Sequence, residues 1–392
     1  MPGPLTSLKI LDFTTLLPGP FGTMMLADMG AEVLRVEAPN RADLMRALPP
    51  RDGDDSVAHR SLARSKESIC VNLKKEDGAR IVKDLIKDYD ILVEGFRPGV
   101  MARFGLGYED LVSIKEDLIY VSLTGYGQDG PLKDRAGHDI NYQALSGLAH
   151  YNGRREHGPV PSGFQVADIA GGSCHLVMGL LAAVIYRKET GKGQFLDVSM
   201  TDAAFALNNI HGAMGLKGAS PGLESTSLNG GGFYDYYRTK DGRYMSVGSL
   251  EPAFLKTLLA TLERQELFAK AYSQNPGDQA QVKKELSRTF IQKNQSEWIS
   301  FFALVDCCVE PVLAFEEAAD HSYIKAREMV VDVPKEDGGA LRQIAFPIKF
   351  SKTKPSYKYA AKKQGEDTQK VLARLGYESE KIKDLARDGV IL

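Results

Sequence analysis

Residues 8–37, LKILDFTTLLPGPFGTMMLADMGAEVLRVE, hold the strand–helix–strand pattern on which the predicted fold depends. The apolar run 8–13 predicts a strand, and the breaker sequence Pro18-Gly19-Pro20 follows it. Residues 21–30 have helical composition and end on Gly30, a residue type that is favoured just after a helix. Residues 32–37 predict a second strand, so the stretch is typical of a βαβ unit with parallel strands.

The same alternation of strands and helices continues along the chain. Strands are predicted at residues 68–73, 90–94 and 118–124, with an amphipathic helix at 77–89. This alternation favours an α/β fold around a parallel sheet, in which ligands bind at the carboxyl ends of the strands. We therefore expect functional residues in the loops that follow these strands. A long apolar helix, predicted to be buried, comes later at 171–189.

The chain of 392 residues is long enough for two domains. Residues 1–200 form the predicted large domain, and residues 201–224 form a predicted linker. Residues 225–330 predict a smaller α+β domain, because an alternating stretch with the hairpin turn Asp241-Gly242 precedes helical sequence. Residues 331–392 form a separate C-terminal segment.

Composition and charge exclude several classes of protein. Acids outnumber bases by 51 to 49, so no strongly basic surface for nucleic acid or an anionic membrane is expected. The four cysteines are too few and too scattered for a disulfide framework. The first residues lack the features of a signal peptide, and the longest apolar run, 176–186, is shorter than the roughly 18 residues that a membrane span needs. We expect a cytoplasmic protein.

Two glycine-containing loops follow predicted strands. Residues 125–130, GYGQDG, match the GxGxxG pattern of dinucleotide sites, but Pro131 and Gly137 leave no room for the helix that would bind a pyrophosphate. A tight functional loop is the better interpretation. Residues 94–99, EGFRPG, offer backbone N–H groups, and Arg97 and Arg103 offer cations for phosphate oxygens. The alternative is an ordinary turn with a surface arginine.

Three titratable residues have both a catalytic and a structural interpretation. His138 lies in AGHDIN, which has little helical or strand character, and a lone histidine is often structural. Asp168 precedes a long apolar helix, so its carboxylate either caps that helix or acts beside it as a base or nucleophile. Glu251 precedes Pro252 and has the simple alternative role of a helix-start acid.

Taken together, these residues resemble the family III CoA-transferases, the group that contains carnitine and formate CoA-transferases. Within it, the chain resembles the α-methylacyl-CoA racemases, which share EGFRPG, GHDINY and an acid before proline in the small domain. Transferases usually have Asn at the position of Gly95 in EGFRPG. The matching blocks follow in order through nearly the whole chain: GPLTSLKILDF, GPF…MMLADMGAEVLRVE, LVEGFRPGVMARFGLGYEDL, TGYGQDGP, AGHDINYQALSG, DIAGGS, GKGQFLDVSMTDA, DGRYMSVGSLEP and CCVEPVLAFEEA.

The resemblance implies a Rossmann-like large domain, a C-terminal segment that returns to it, and a homodimer of interlocked chains. It implies catalytic roles for His138 and Asp168 of one chain and Glu251 of the other. Contacts to the acyl-CoA are implied for Arg64, Lys66, Val71, Asn72, Leu73, Lys74, Gly95, Phe96, Arg97, Arg103, Gly137, Asp139, Ile140, Asn141 and Tyr142. Two departures concern CoA and acyl recognition: Ala38 replaces an Arg that racemases often carry, and Phe164 or a neighbour replaces an Asn.

The implied chemistry is inversion at the carbon next to a thioester, which needs one base on each face of that carbon. His138 and Asp168 would alternate as base and acid, Glu251 would orient the imidazole, and N–H groups of the glycine-rich loop and of the Asp168 helix would stabilise the enolate. Neither a metal nor a redox cofactor is needed. The alternatives are a CoA-transferase, in which Asp168 becomes an acyl anhydride and then a CoA thioester, and a non-catalytic acyl-CoA-binding protein. The acyl group itself is not predicted.

Overall fold

The computed structural model describes residues 3–392, which form two compact units. The first unit contains the residues up to Ser146, Ser162–Leu207 and Tyr323–Leu392. The second contains Gly147–Pro161 and Asn208–Ser322. These bounds differ from the predicted ones: the second unit begins before residue 225, ends before 330 and includes a piece from within the predicted large domain.

A six-stranded parallel sheet forms the centre of the first unit, as the alternating pattern predicts. The strands lie in the order β3-β2-β1-β4-β5-β6, which is the strand order of Rossmann folds. Residues such as Ile10, Leu11 and Leu92 are fully buried, because helices cover both faces of a parallel sheet. The strands are β1 (Lys9–Asp12), β2 (Glu32–Glu37), β3 (Glu67–Cys70), β4 (Ile91–Glu94), β5 (Ile119–Thr124) and β6 (Gln194–Ser199).

Helices and short ladders complete the first unit. Its α-helices are Pro18–Asp28, Val57–Leu62, Glu76–Ile86, Val100–Arg103, Tyr108–Val112, Asp139–Leu145, Cys174–Thr190, Met200–Ala206, Thr368–Arg374 and Ser379–Arg387. A π-helix, Ala167–Ser173, runs directly into Cys174–Thr190, and Leu44–Ala47 is a 3-10 helix. Two antiparallel ladders pair Arg51–Asp52 with Asp55–Ser56 and Val330–Pro334 with Ala340–Ile344.

The second unit is an α+β structure with a three-stranded antiparallel sheet. The sheet contains Asp235–Arg238, Tyr244–Val247 and Val309–Pro311, and the predicted hairpin turn lies between the first two. Its core centres on the buried side chains of Phe290, Trp298 and Tyr237. Its helices are Leu148–Tyr151, Asn209–Leu216, Pro252–Thr261, Gln265–Leu267, Phe268–Ala271, Pro276–Phe290, Gln295–Phe302 and Phe315–Asp320, and Gly153–Arg154 pairs with Gly158–Pro159. The short helix Ser322–Ala326 lies where the chain leaves this unit.

The predicted linker 201–224 contains the point at which the chain passes from the first unit to the second, but much of it is helical. Met200–Ala206 and Asn209–Leu216 are both helices, and the hydroxyl of Ser199 caps the first by accepting the N–H of Asp202 at 3.1 Å. Alanine, methionine and leucine in this stretch favour helix more than its glycines oppose it.

The long apolar helix differs from its prediction in both length and burial. Ala167–Thr190 spans 24 residues, and by length and composition alone it is long and apolar enough to cross a membrane. One face, with Leu176, Leu180 and Ala183, is fully buried in the first unit. The opposite face is exposed and includes Met178 and Ile185, each 60% exposed. The prediction of a wholly buried helix is therefore wrong.

Candidate active site

The carboxyl ends of all six strands lie at one edge of the sheet, and the strand order reverses between β1 and β4. That switch point is where open α/β sheets bind ligands. The helix after β1 begins Pro18-Gly19-Pro20, and prolines lack an N–H group. The N–H of Phe21 already donates to the carbonyl of Leu17 at 3.0 Å. This helix end therefore offers a phosphate fewer N–H groups than the corresponding helix of dinucleotide-binding proteins does.

Two tyrosines fix the segment that contains His138. The hydroxyl of Tyr142 donates to the carbonyl of Gly137 at 2.6 Å, and its ring packs edge-on against Tyr126 with centroids 5.2 Å apart. A Cβ at Gly137 would lie 2.7 Å from both tyrosines, and one at Gly125 would lie 2.5 Å from the Tyr142 hydroxyl. Only glycine fits at these two positions, so the glycines of TGYG and AGHD serve the packing of this segment.

His138 is the N-cap residue of the helix Asp139–Leu145, so the segment AGHDIN is irregular up to His138 and helical from Asp139 onward. Its N–H donates to the side-chain oxygen of Asn141 at 3.0 Å, which places Asn141 as a cap of this helix. The His138 side chain is exposed. The imidazole is therefore exposed to solvent, while hydrogen bonds at the His138 N–H and at the preceding carbonyl of Gly137 fix the backbone.

Asp139 caps the helix that contains Asp168. One of its carboxylate oxygens accepts the N–H groups of Ala167 at 2.7 Å and of Asp168 at 3.0 Å, and the other accepts the Gln143 amide. The predicted helix-capping alternative for Asp168 is thus wrong, since Asp168 lies inside the π-helix and Asp139 does the capping. Because these two N–H groups are already bonded, the prediction that they stabilise an enolate is also wrong.

No hydrogen bond or ion pair of the Asp168 carboxylate is present within residues 3–392, and its pKa is raised to about 6. Partial burial is the main cause, and the charge of Asp139 adds to it. The charge of His138 acts in the opposite direction, which places His138 within electrostatic range of Asp168. π-helical turns are rare and occur often at functional sites. The first unit therefore brings together a histidine and a carboxylate that is more basic than usual.

Glu251 lies in the second unit, at the N-cap of the helix Pro252–Thr261. Its side chain is exposed and makes no capping hydrogen bond, so a simple role as a helix-start acid does not account for it. The charge of Glu251 contributes to raising the pKa of Tyr272 and of Cys308, after burial.

The prediction that Arg64 and Lys66 contact CoA is wrong, because each residue is only 1% exposed. Arg64 makes a bidentate ion pair with Asp28, at 2.8 and 2.6 Å. Lys66 contacts Asp12 at 3.2 Å and the hydroxyl of Thr23 at 2.7 Å. Buried cations with complete partners inside the unit have no donors to offer a phosphate.

The other predicted contacts divide into buried and accessible ones. Val71 belongs to the main apolar core, and Leu73 and Phe96 pack against it. Val71 is therefore a core residue rather than a ligand contact. Tyr142 is also buried, and it acts through Gly137. The accessible members of the set are Asn72, Lys74, Gly95, Arg97, Arg103, Gly137, Asp139, Ile140 and Asn141.

Arg64→Met is expected to lower the free energy of unfolding by roughly 3–5 kcal/mol, because it leaves the buried carboxylate of Asp28 without its cation. Urea denaturation measures this loss. Arg103→Met, at an exposed arginine of the same unit, should change stability by about 0.5 kcal/mol or less. Unchanged stability of the Arg64 variant together with weaker CoA binding would restore Arg64 as a ligand.

Among residues 3–392, no group of three or more His, Cys, Asp or Glu side chains is arranged to hold a metal ion.

Comparison with known proteins gives a consistent result over the whole chain. The model of CoA-transferase family III matches residues 5–368. Human α-methylacyl-CoA racemase is 35% identical over 99% of this chain and 97% of its own length. Human succinyl-CoA:glutarate CoA-transferase is 32% identical over 99% of this chain and 90% of its own length. The crystal structure of a CaiB/BaiF family protein from Brucella suis, 26% identical, aligns with a TM-score of 0.83 over 96% of this chain and all of that one.

Proposed function

Because the chain belongs to CoA-transferase family III, we propose that it is an acyl-CoA racemase that inverts the α-carbon of a 2-methyl-branched acyl-CoA. The observation that carries this proposal is that His138, at the N-cap of the helix Asp139–Leu145, and Asp168, in the first turn of the π-helix, are two proton-transfer groups whose charges interact. A transferase needs only the aspartate. The likeness to human α-methylacyl-CoA racemase supports the same assignment.

In the proposed mechanism His138 and Asp168 act on opposite faces of the α-carbon. Neutral His138 removes the proton, the C–H electron pair moves into the thioester as an enolate, and protonated Asp168 delivers a proton to the other face. In the reverse direction ionised Asp168 is the base and the imidazolium of His138 is the acid. With a pKa of about 6, Asp168 is a stronger base than an ordinary carboxylate and is still ionised at neutral pH. The reaction uses no metal or redox cofactor.

We also propose that two chains form an interlocked homodimer in which Glu251 of the partner subunit orients His138. Support comes from the helix Ala167–Thr190, whose exposed face carries Cys174, Met178 and Ile185. A contiguous apolar face of this kind is usually covered by a partner. Among the described residues, no hydrogen bond or ion pair of the Glu251 carboxylate is present, so it is available to accept an imidazole N–H and to stabilise the imidazolium. We propose a cytoplasmic location as well, in which a partner subunit rather than lipid covers this face.

We propose that the accessible cations at the carboxyl edge of the sheet bind the nucleotide part of CoA. Arg97 and Arg103 follow β4, and Lys74 and Asn72 follow β3. These two strands are three strand spacings apart, about 14 Å, a span that an extended CoA can bridge. The chain's formal charge of −2 gives no support for nucleic acid as a partner.

The second candidate is CoA transfer between carboxylic acids through Asp168. Its carboxylate is free and of raised pKa, as a nucleophile requires, and the succinyl-CoA:glutarate relative is nearly as similar as the racemase. The two candidates separate in heavy water without an acceptor acid. A racemase exchanges the α-proton of a 2-methylacyl-CoA for deuterium, whereas a transferase leaves that proton in place. Absence of exchange with rapid CoA transfer to an added acid would overturn the racemase proposal.

Arg97→Ala is expected to raise the KM for the acyl-CoA by roughly tenfold or more and to change kcat little, because a remote phosphate contact acts mainly in the ground state. Steady-state kinetics measure both constants. Arg80→Ala, at an exposed arginine on the helix Glu76–Ile86, should have no effect. A thioester of pantetheine lacks the nucleotide and should be indifferent to the Arg97 change. Equal losses with both substrates would remove Arg97 from the nucleotide site.

A further inference from the structure

Glu94 is a buried carboxyl without a cation. It is the last residue of β4, at the switch point of the sheet, and it is 4% exposed. Other buried carboxylates of this unit have a partner: Asp12 pairs with Lys66, Asp28 with Arg64, and Glu37 with Arg46. Among the described residues, no ion pair of Glu94 is present. A buried carboxyl of this kind costs stability unless hydrogen bonds or protonation compensate for it.

The hydrogen bonds of Glu94 join two loops at this edge of the sheet. We define the Arg97 loop as residues 95–99 and the Gln128 loop as residues 125–130. One oxygen of Glu94 accepts the N–H of Phe96 at 2.7 Å, and the other is hydrogen-bonded to the hydroxyl of Ser122 on β5. The side-chain amide of Gln128 donates to the same hydroxyl at 2.5 Å. The backbone N–H of Gln128 donates to Asp197 on β6 at 2.8 Å.

We infer that Glu94 is a positioning residue for CoA: its neutral carboxyl fixes the Arg97 loop and the Gln128 loop to each other where the sheet meets the nucleotide. This inference rests on the proposed function, since the Arg97 loop supplies a proposed phosphate contact. The Glu94 carboxyl accepts the O–H of Ser122 and the N–H of Phe96, so both of its oxygens help to join the two loops. If Glu94 were ionised, its carboxylate would place a negative charge beside the negatively charged phosphates of CoA.

The electrostatic surroundings of Glu94 favour the neutral form. Burial raises the pKa of Glu94 to about 7; the hydrogen bonds from Ser122 and Phe96 act against this shift, and the charge of Asp197 on β6 adds to it. On β5, the Glu94 charge contributes, after burial, to raising the pKa of Tyr120. On β1, the buried carboxylate of Asp12 is paired with Lys66. Glu94 is thus neutral in mildly acidic solution and becomes charged as the pH rises above about 7.

The experiment is a calorimetric titration of CoA into wild type and three variants at pH 6 and pH 8.5. Glu94→Gln copies the neutral carboxyl at every pH, and Glu94→Leu keeps the volume but removes the hydrogen bonds. Glu109→Gln makes the same chemical change at an exposed position of the first unit. At pH 6, Glu94→Leu should bind CoA roughly five- to tenfold more weakly than the other three proteins, the effect of losing one or two hydrogen bonds. At pH 8.5, wild type and Glu109→Gln should bind several-fold more weakly than Glu94→Gln.

The phosphates of CoA titrate alike in all four proteins. The comparison with Glu94→Gln therefore separates the pH dependence that comes from Glu94 from the pH dependence that comes from these phosphates. If Glu94→Leu does not fold, the ratio of the CoA dissociation constants of wild type and Glu94→Gln, compared between the two pH values, still tests the inference. A ratio that does not change with pH overturns the inference and leaves the proposed CoA site intact. Failure of wild type to bind CoA at either pH overturns both.

Discussion

Asp168→Asn is expected to lower the rate of either proposed reaction by roughly 10²–10⁴-fold, the contribution of one positioned acid–base group. In a racemase the change removes the base on one face of the α-carbon, and in a transferase it removes the nucleophile. The measurement is α-proton exchange and CoA transfer by the same protein. Asp88→Asn, at an exposed aspartate of the same unit, should retain full activity. Retention of more than about a tenth of the rate by Asp168→Asn would exclude both mechanisms.

The stability of the same variant distinguishes a functional role of Asp168 from a structural one. Its folded pKa, about 6, is raised above the value near 4 of an unfolded aspartate. A raised pKa means that the folded state loses stability as the pH rises from about 4 through 6, where the carboxyl must ionise in a partly buried position. Asp168→Asn should therefore be at least as stable as wild type at pH 7, with the gain absent at pH 4. A large loss of stability at neutral pH would instead make Asp168 a structural residue.

The sheet of the first unit could be predicted because most of its strands are buried on both faces. Ile91–Glu94 and Ile119–Thr124 are short continuous apolar runs between helical segments, the pattern of a parallel sheet. Gln194–Ser199 was missed because it is an edge strand, with Phe195 38% exposed and polar residues at both ends. An edge strand lacks the continuous apolar run that marks a central one.

The candidate site could be predicted only where chemistry follows from local sequence. His138 and Asp168 stand in short blocks that resemble those of a known family. The ion pair of Arg64 with Asp28 joins residues 36 positions apart, and Asp139 caps a helix that begins 28 positions later. Pairings at this distance depend on the tertiary fold, so a cation in the sequence looks the same whether it is buried or free. The sequence pattern likewise cannot show that Glu94 lacks a cation.

His138→Ala decides between the two proposed activities, because only the racemase uses a base at this position. We expect α-proton exchange to fall by roughly 10²–10⁴-fold. The loss should depend on which face is followed: in single-turnover exchange, washout of the proton that faces His138 should fall most. Washout of the proton that faces Asp168 should partly survive, because the Asp168 carboxylate and the Asp139 cap of its helix are intact. Exchange of each 2-methyl epimer in heavy water measures the two faces separately.

The control for this variant is His157→Ala, which removes an exposed histidine of the second unit and should leave exchange unchanged on both faces. The backbone of His138 is held through its N–H and the preceding carbonyl of Gly137, so loss of the imidazole should not displace the segment. Lost exchange with normal stability therefore reports on chemistry. In a transferase, acyl transfer through Asp168 involves no proton at the α-carbon, and His138→Ala should keep its transfer rate. Full CoA transfer by His138→Ala, with no exchange by wild type, would replace the racemase proposal with the transferase one.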